Sequence, residues 1–230
     1  MFEHGEFRRR RLPHWDLPDA TYFVTTCLAG SIPAEGLLEI ARRQTQLLPR
    51  SGLPGGGGTP PRPNRWKQAF VARERWLDSR PAVRHLGETA LAKIVADACY
   101  YGAGRRYDLL SYVVMPSHLH WVFRPREDVA RASESDGSRS PRERIMHDLK
   151  RHTARQCNLW LGLQGTFWQD ESYDRWIRDE SELGRIIHYV ESNPVKAGLV
   201  ELPEQWQFSS AYDRMPMAIP RGTPLLQKRA

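Results

Sequence analysis

The chain has 230 residues, 40% of them hydrophobic and including eight Trp, eight Tyr and seven Phe, which supplies apolar bulk for a packed core and excludes a wholly disordered chain. Its three cysteines, Cys27, Cys99 and Cys157, are odd in number and lack CxxC spacing, so a disulfide framework and a thiolate zinc cluster are both excluded and a reducing compartment is expected. Lys and Arg number 34 against 27 Asp and Glu, a net charge of +7; a polyanionic partner fits that balance, although charge alone does not require one.

Met1 to Asp19 carry Arg8, Arg9, Arg10 and Arg11, then Pro13 and Pro18, with no helical or strand period. Residues 1–20 therefore read as a basic arm, ahead of a domain over 21–212 and a tail over 213–230. Thr21 to Ala29 is β-branched and aromatic and reads as a strand, and Ala34 to Leu48 has helical apolar spacing. The stretch 49–63 lies in a segment with four consecutive glycines and five prolines, which predicts a flexible insertion without regular structure. Helical patterns resume over Gln68 to Trp76 and Ala82 to Tyr101, the second stopped by Gly102 and Gly104. Tyr107 to Met115 and His118 to Arg124 are strands separated only by Pro116 and Ser117, so they must pair antiparallel. Ser140-Pro141-Arg142-Glu143 supplies an N-cap, a first-turn proline and a capping-box acid for a helix to about Trp160. Phe167 to Ile177 reads as a fourth, irregular strand, and Asp179 to Glu182 start a last helix. Interleaved helices and antiparallel strands define an α+β fold. No apolar run approaches the roughly 18 residues of a membrane span and the N-terminus lacks a secretory apolar stretch, so a cytoplasmic protein with no membrane partner is expected.

His118 and His120 stand two apart in a strand, which aims both imidazoles from one face, while Leu119, Trp121 and Phe123 fill the other. Helices can cover the apolar face and leave the histidine face open, and His-x-His is one way to turn two neutral nitrogens on one metal ion. Eight histidines in this length give about 0.3 such pairs by chance, so the pair needs company. Val122 and Phe123 exclude a metallo-β-lactamase-type motif, and too few residues follow His120 for an amidohydrolase barrel. Tyr189 and Asn193, four apart at the edge of the apolar stripe of the last helix, are either ordinary packing or a phenol nucleophile beside a third oxygen ligand. Arg144, His147, Arg151 and Arg155 form a basic stripe opposite Ile145, Leu149 and Thr153, either a solvated face or a phosphate track, and Trp15 and Trp66 could stack on unpaired bases.

YVVMPSHLHWVF (112–123), FWQDESYDRWIRDESEL (167–183) and YVESNPVKAGLV (189–200), with RRLPHW (10–15) before them and QWQFSS (205–210) after, together resemble the REP-associated tyrosine transposases. These are a branch of the single-tyrosine HUH transposases. The resemblance implies a ferredoxin-like antiparallel sheet with helices on one side, HUH-type. It also implies that His118, His120 and Asn193 bind Mg²⁺ or Mn²⁺ and that Tyr189 is the nucleophile. Ser117 departs from the family pattern, which usually has Asn there, and the 49–63 insertion is longer than expected. The implied chemistry is cleavage and rejoining of single-stranded DNA at hairpins of repetitive extragenic palindromes, through a 5′-phosphotyrosine and without a nucleotide cofactor, by a protein expected to be a monomer. Arg8 to Arg11, Arg144, Arg151 and Arg155 would contact DNA. The alternative in the binding class is a catalytically silent hairpin-binding protein of the same fold, which loss of Tyr189 or a histidine would have favoured. A ferredoxin-like RNA-binding module fits least, because the histidine face offers His118, His120, Val122 and Arg124 where paired aromatics are needed.

Overall fold

The charged and proline-punctuated N-terminal segment forms two short strands, β1 (Glu6–Arg9) and β2 (Pro13–Asp16), paired antiparallel with Phe7 opposite Trp15 and Arg8 opposite His14. This corrects the reading of an arm without strand structure: backbone pairing needs no hydrophobic period, and proline is tolerated at a strand end. The computed structural model describes residues 6–9, 13–17, 19–46, 63–127 and 139–215. Arg10, Arg11, most of the 49–63 insertion and all but the first residues of the 213–230 tail lie outside them.

Two units can be distinguished. The larger, from Met1–Ala29 and His85–Ala230, holds β3 (Thr21–Cys27), α3 (Thr89–Gly102), β4 (Tyr107–Met115), β5 (His118–Pro125), α4 (Pro141–Leu161), β6 (Tyr173–Ile177), α5 (Glu180–Glu191), α6 (Asn193–Lys196) and α7 (Ser210–Asp213). Its sheet order is β4-β5-β3-β6 with every neighbouring pair antiparallel. The succession β3-α3-β4-β5-α4-β6 in that order is the ferredoxin-like α+β topology. The smaller unit, Gly30–Arg84, holds α1 (Ala34–Gln46) and α2 (Pro63–Ser79). There the Glu39 carboxylate accepts from Trp76 Nε1 at 2.9 Å and pairs with Arg75. The helix expected from Gln68 begins at Pro63 instead, since a first-turn proline has its φ preset and no N–H to lose.

Period-two alternation sorts the sheet residues. Val24 faces Trp121 across β3 and β5, and Tyr112 faces Trp121 across β4 and β5. Tyr112, Trp121 and Phe123 are fully buried, each burial contributing about 2–3 kcal/mol. On this face Tyr107 donates to the Cys99 carbonyl of α3 at 2.6 Å, and the Arg142 guanidinium of α4 lies 5.8 Å from the Tyr22 ring centroid. Gly102 at the end of α3 has no room for a side chain, because a Cβ would overlap the Tyr107 ring. The other face carries Thr25 opposite His120 and Cys27 opposite His118. It does not stay open as the sequence suggested: both imidazoles are 0% exposed, and Tyr189 of α5 packs there against Phe23 and His120. Helices on one side therefore describes α3 and α4, while α5 takes the opposite face. Among the described residues no helix is long and apolar enough to cross a membrane.

Candidate active site

The β4–β5 turn at Pro116-Ser117 sets Met115 opposite His118 and Val113 opposite His120, so both histidines fall on the face away from Trp121. Their Nε2 atoms lie 3.0 Å apart. Each Nδ1 meets a buried hydroxyl: Ser117 Oγ at 2.9 Å from His118, and Thr25 Oγ1 at 2.7 Å from His120. If each Nδ1–H donates to its hydroxyl, both Nε2 lone pairs are left pointing into the same small space. Two bare lone pairs at that distance repel, and a proton or a cation between them removes the repulsion. Adjacent ligands of an octahedral ion at bond lengths of about 2.1 Å are about 3.0 Å apart, so the observed separation fits one shared cation. A ligating histidine usually donates its other ring N–H to a fixed acceptor that sets its tautomer, and here a hydroxyl stands in that place for each ring.

Tyr189 reaches this pair from α5. Its half-buried ring has its centroid 5.7 Å from that of His120 and 6.0 Å from that of Phe23, and Lys196 Nζ sits 4.2 Å from the ring centroid. The end of α5 is anchored two residues later. Ser210 donates to Glu191 Oε1 at 2.6 Å, Ser111 of β4 also reaches Glu191, and Arg214 forms an ion pair with it. At the opposite end Asp179 caps α5 by accepting from the Glu182 N–H at 2.7 Å. These two anchorages set the helix register that aims Tyr189 at the histidine face.

Asn193 begins α6, one turn beyond Tyr189, and is 0% exposed with neither Oδ1 nor Nδ2 hydrogen-bonded. A buried primary amide without partners costs on the order of 1–3 kcal/mol per atom. An Asn carbonyl oxygen is a donor of the kind a hard divalent cation takes.

The expected DNA-contacting arginines divide differently. Arg8 and Arg9 are in β1. Arg144 is half-buried and donates through Nε to the Arg139 carbonyl, whereas Arg151 and Arg155 are exposed on α4. Arg151 and Arg155 belong, with α4, to the face of the sheet opposite Tyr189. Thr25, Phe23, Glu191 and Lys196 were not singled out by sequence. Thr25 and Phe23 depend on strand register with a segment some hundred residues away, and only Lys196, seven residues after Tyr189 and so two helical turns on, left a readable trace. Ser117, a departure from the family pattern, is the residue that meets His118 Nδ1.

The larger unit thus combines a ferredoxin-like antiparallel sheet, a His-x-His pair on one of its faces and a tyrosine on the helix packed there. The chain is similar to a REP-associated tyrosine transposase of Haemophilus influenzae, 26% identical over 111 residues that cover 45% of this chain and 58% of the relative. It is likewise similar to the REP-associated tyrosine transposase of Escherichia coli K12, 26% identical over 106 residues that cover 46% of this chain and 55% of the relative. The matches thus span a little over half the length of these curated relatives. A solved REP-associated tyrosine transposase bound to a REP hairpin aligns with a TM-score of 0.49 at 18% identity, covering 90% of this chain and 83% of that one. No protein-family model matches the chain.

Proposed function

We propose that this protein is a single-strand DNA transposase that cleaves and rejoins DNA at palindromic hairpins, with Tyr189 as its nucleophile. The observation that carries the reading is the meeting of the Tyr189 ring with a buried histidine pair whose Nε2 atoms lie 3.0 Å apart. Tyr189 Oη attacks the phosphorus of the scissile phosphodiester in line with the departing 3′ oxygen. One P–O bond forms and one breaks, giving a 5′-phosphotyrosine and a 3′-OH; the phenol proton passes to solvent and the departing oxygen takes a proton from it. The covalent bond keeps the energy of the diester, so a 3′-OH from another strand reverses the attack and rejoins DNA without a nucleotide cofactor. A divalent cation, Mg²⁺ or Mn²⁺, held by His118, His120 and Asn193 would supply charge neutralisation at a non-bridging phosphate oxygen. Thr25 and Ser117 hold the two imidazoles in the tautomer that leaves Nε2 free. Lys196 brings a positive charge against the Tyr189 ring, where an approaching phosphate gains from it. Arg8 to Arg11, Arg144, Arg151 and Arg155 contribute phosphate contacts.

Incubating the protein with labelled hairpin DNA bearing single-stranded flanks, with and without Mn²⁺, tests this. The expected result is a nick that needs the cation and disappears in Tyr189→Phe, with hairpin affinity retained within a few fold. Binding without any nick under all conditions would favour the silent hairpin-binding alternative, and full cleavage by Tyr189→Phe would remove the nucleophile assignment.

A further inference from the structure

Helix α5 lies on the histidine face and is pinned to both edge strands of the sheet, β6 and β4. In its first turn Glu182 forms an ion pair with Arg175 of β6. Its last residue, Glu191, accepts from Ser111 of β4 at 3.3 Å and from Ser210 of α7 at 2.6 Å, and pairs with Arg214. An acidic side chain in the last turn meets the negative end of the helix dipole, so local preference disfavours Glu191 there. Such conflicts are expected where function requires them.

At about 100° per residue, the buried stripe of Ile186 and Val190 separates Tyr189 on one flank of α5 from Glu191 on the other. Tyr189 faces His120 and Phe23, and Glu191 faces β4. The movement that most disturbs Tyr189 is a roll of α5 about its own axis: with the phenol oxygen about 9 Å from that axis, a roll of about 10° carries it about 1.5 Å. Apolar contacts in the stripe are non-directional and resist a roll weakly. Directional bonds on the opposite flank resist it directly.

The partner of Glu191 is itself braced. Ser210 Oγ accepts from the Tyr112 N–H at 3.2 Å while donating to Glu191, and lies 2.9 Å from Ser111 Oγ. Asp213, at the other end of α7, accepts from Tyr100 of α3 at 2.7 Å and from Tyr112 at 2.6 Å, on the Trp121 face of the sheet. Just before α7 the Phe208 carbonyl accepts from the Val114 N–H of β4 at 2.9 Å. The α7 segment therefore wraps the β4 edge, held on one face through Asp213 and presenting Ser210 on the other.

We infer that Glu191 is a positioning residue: braced by Ser111, Ser210 and Arg214, it fixes the roll of α5 at which Tyr189 meets the histidine pair. Its effect on rate rests on the function proposed above; its effect on the Tyr189 ring does not. Glu191 acts through Tyr189, so it governs strand cleavage and leaves hairpin affinity alone.

The test compares the full chain with Glu191→Ala, Glu191→Gln and Ser210→Ala, by single-turnover cleavage of a hairpin with a single-stranded flank in Mn²⁺ and by NMR of the DNA-free protein with ring-labelled tyrosine. A misplacement of about 1 Å costs on the order of a hundredfold, so the cleavage rate of Glu191→Ala at saturating DNA is expected to fall by about tenfold to a hundredfold, with hairpin affinity within about twofold. The Tyr189 ring signals, set by His120 and Phe23, should move in the same variant. Glu191→Gln keeps an oxygen for both hydroxyls and should restore the ring signals and bring the rate within about threefold of the parent. Should Glu191→Ala not fold, Ser210→Ala, which removes the shorter of the two hydroxyl bonds, carries the same expectation for ring and rate. Ring signals unmoved in a folded variant, or an equal loss of rate in Glu191→Gln and Glu191→Ala, would overturn the inference. Displaced and restored ring signals in a protein that never cleaves DNA would uphold it and reject the transposase reading. Cleavage by the parent with the ring indifferent to Glu191 would do the reverse.

Discussion

Replacing Thr25 by Val removes one atom that the histidine pair depends on while keeping the β-branched shape its strand favours. Thr25 Oγ1 lies 2.7 Å from His120 Nδ1, and both residues are 0% exposed, so no solvent takes the place of the hydroxyl. Without it, the imidazole of His120 can relieve its unpaired Nδ1–H by moving the proton to Nε2 and donating across the 3.0 Å gap to His118 Nε2. That escape limits the stability loss to the lower part of the 1–3 kcal/mol range for a buried unsatisfied group. It also occupies the nitrogen a cation needs. Restoring the free Nε2 means leaving Nδ1–H unpaired again, so cation binding bears the larger penalty, a loss of about tenfold to a hundredfold in affinity. Mn²⁺ titration followed by electron paramagnetic resonance measures the affinity, and urea unfolding measures the stability. Ser117→Ala should act in the same direction through His118, and the double variant should be non-additive because the two rings touch. Unchanged Mn²⁺ affinity in Thr25→Val, with the fold intact, would refute the tautomer argument.

Gly102→Ala should destabilise the larger unit by about 1–3 kcal/mol, because the added methyl overlaps the buried Tyr107 ring; chemical denaturation reads this directly, and a neutral result would mean that Tyr107 can shift. Burial pushes the Cys157 thiol up to about 12, and Cys27 and Cys99 are also buried, so a thiol reagent at pH 8 should label none of the three until the protein is unfolded. Deleting residues 1–11 should weaken hairpin binding and flatten its salt dependence. If about four phosphates are neutralised on a single strand, the full-length slope of log K against log salt is near −3, and an identical slope after deletion would show that Arg8 to Arg11 make no DNA contact.

The parts of the fold that were legible in sequence are those set by short-range rules. The two-residue link at Pro116-Ser117 forced β4 and β5 into a hairpin, and the period of two assigned His118 and His120 to one face. Ser140, Pro141 and Glu143 form the capping box their spacing predicted, with each partner donating at 3.2 Å. What sequence could not supply was register between distant strands. Thr25 meets His120 only because β3 inserts between β5 and β6, and no local pattern encodes that alignment. The same ignorance led to an open histidine face, since α5 covers it from a position some seventy residues later in the chain. The N-terminal ribbon was missed for a different reason: charged and proline-rich strands lack the apolar alternation that identifies buried ones. Asn193 was visible as a polar residue near a helix end, but its burial without a partner, the feature that gives it weight, exists only in three dimensions.

A covalent bond between Tyr189 and DNA is the most direct consequence of the proposed function. Reacting the protein with a single-stranded hairpin substrate and Mn²⁺, digesting the denatured product with protease and nuclease, and sequencing the modified peptide by mass spectrometry locates that bond. The expected product is a 5′-phosphonucleotide on Tyr189 and on no other tyrosine. An adduct on Tyr173, which lies across Phe23 from Tyr189, or cleavage that leaves no protein-linked DNA at all, would contradict the central claim.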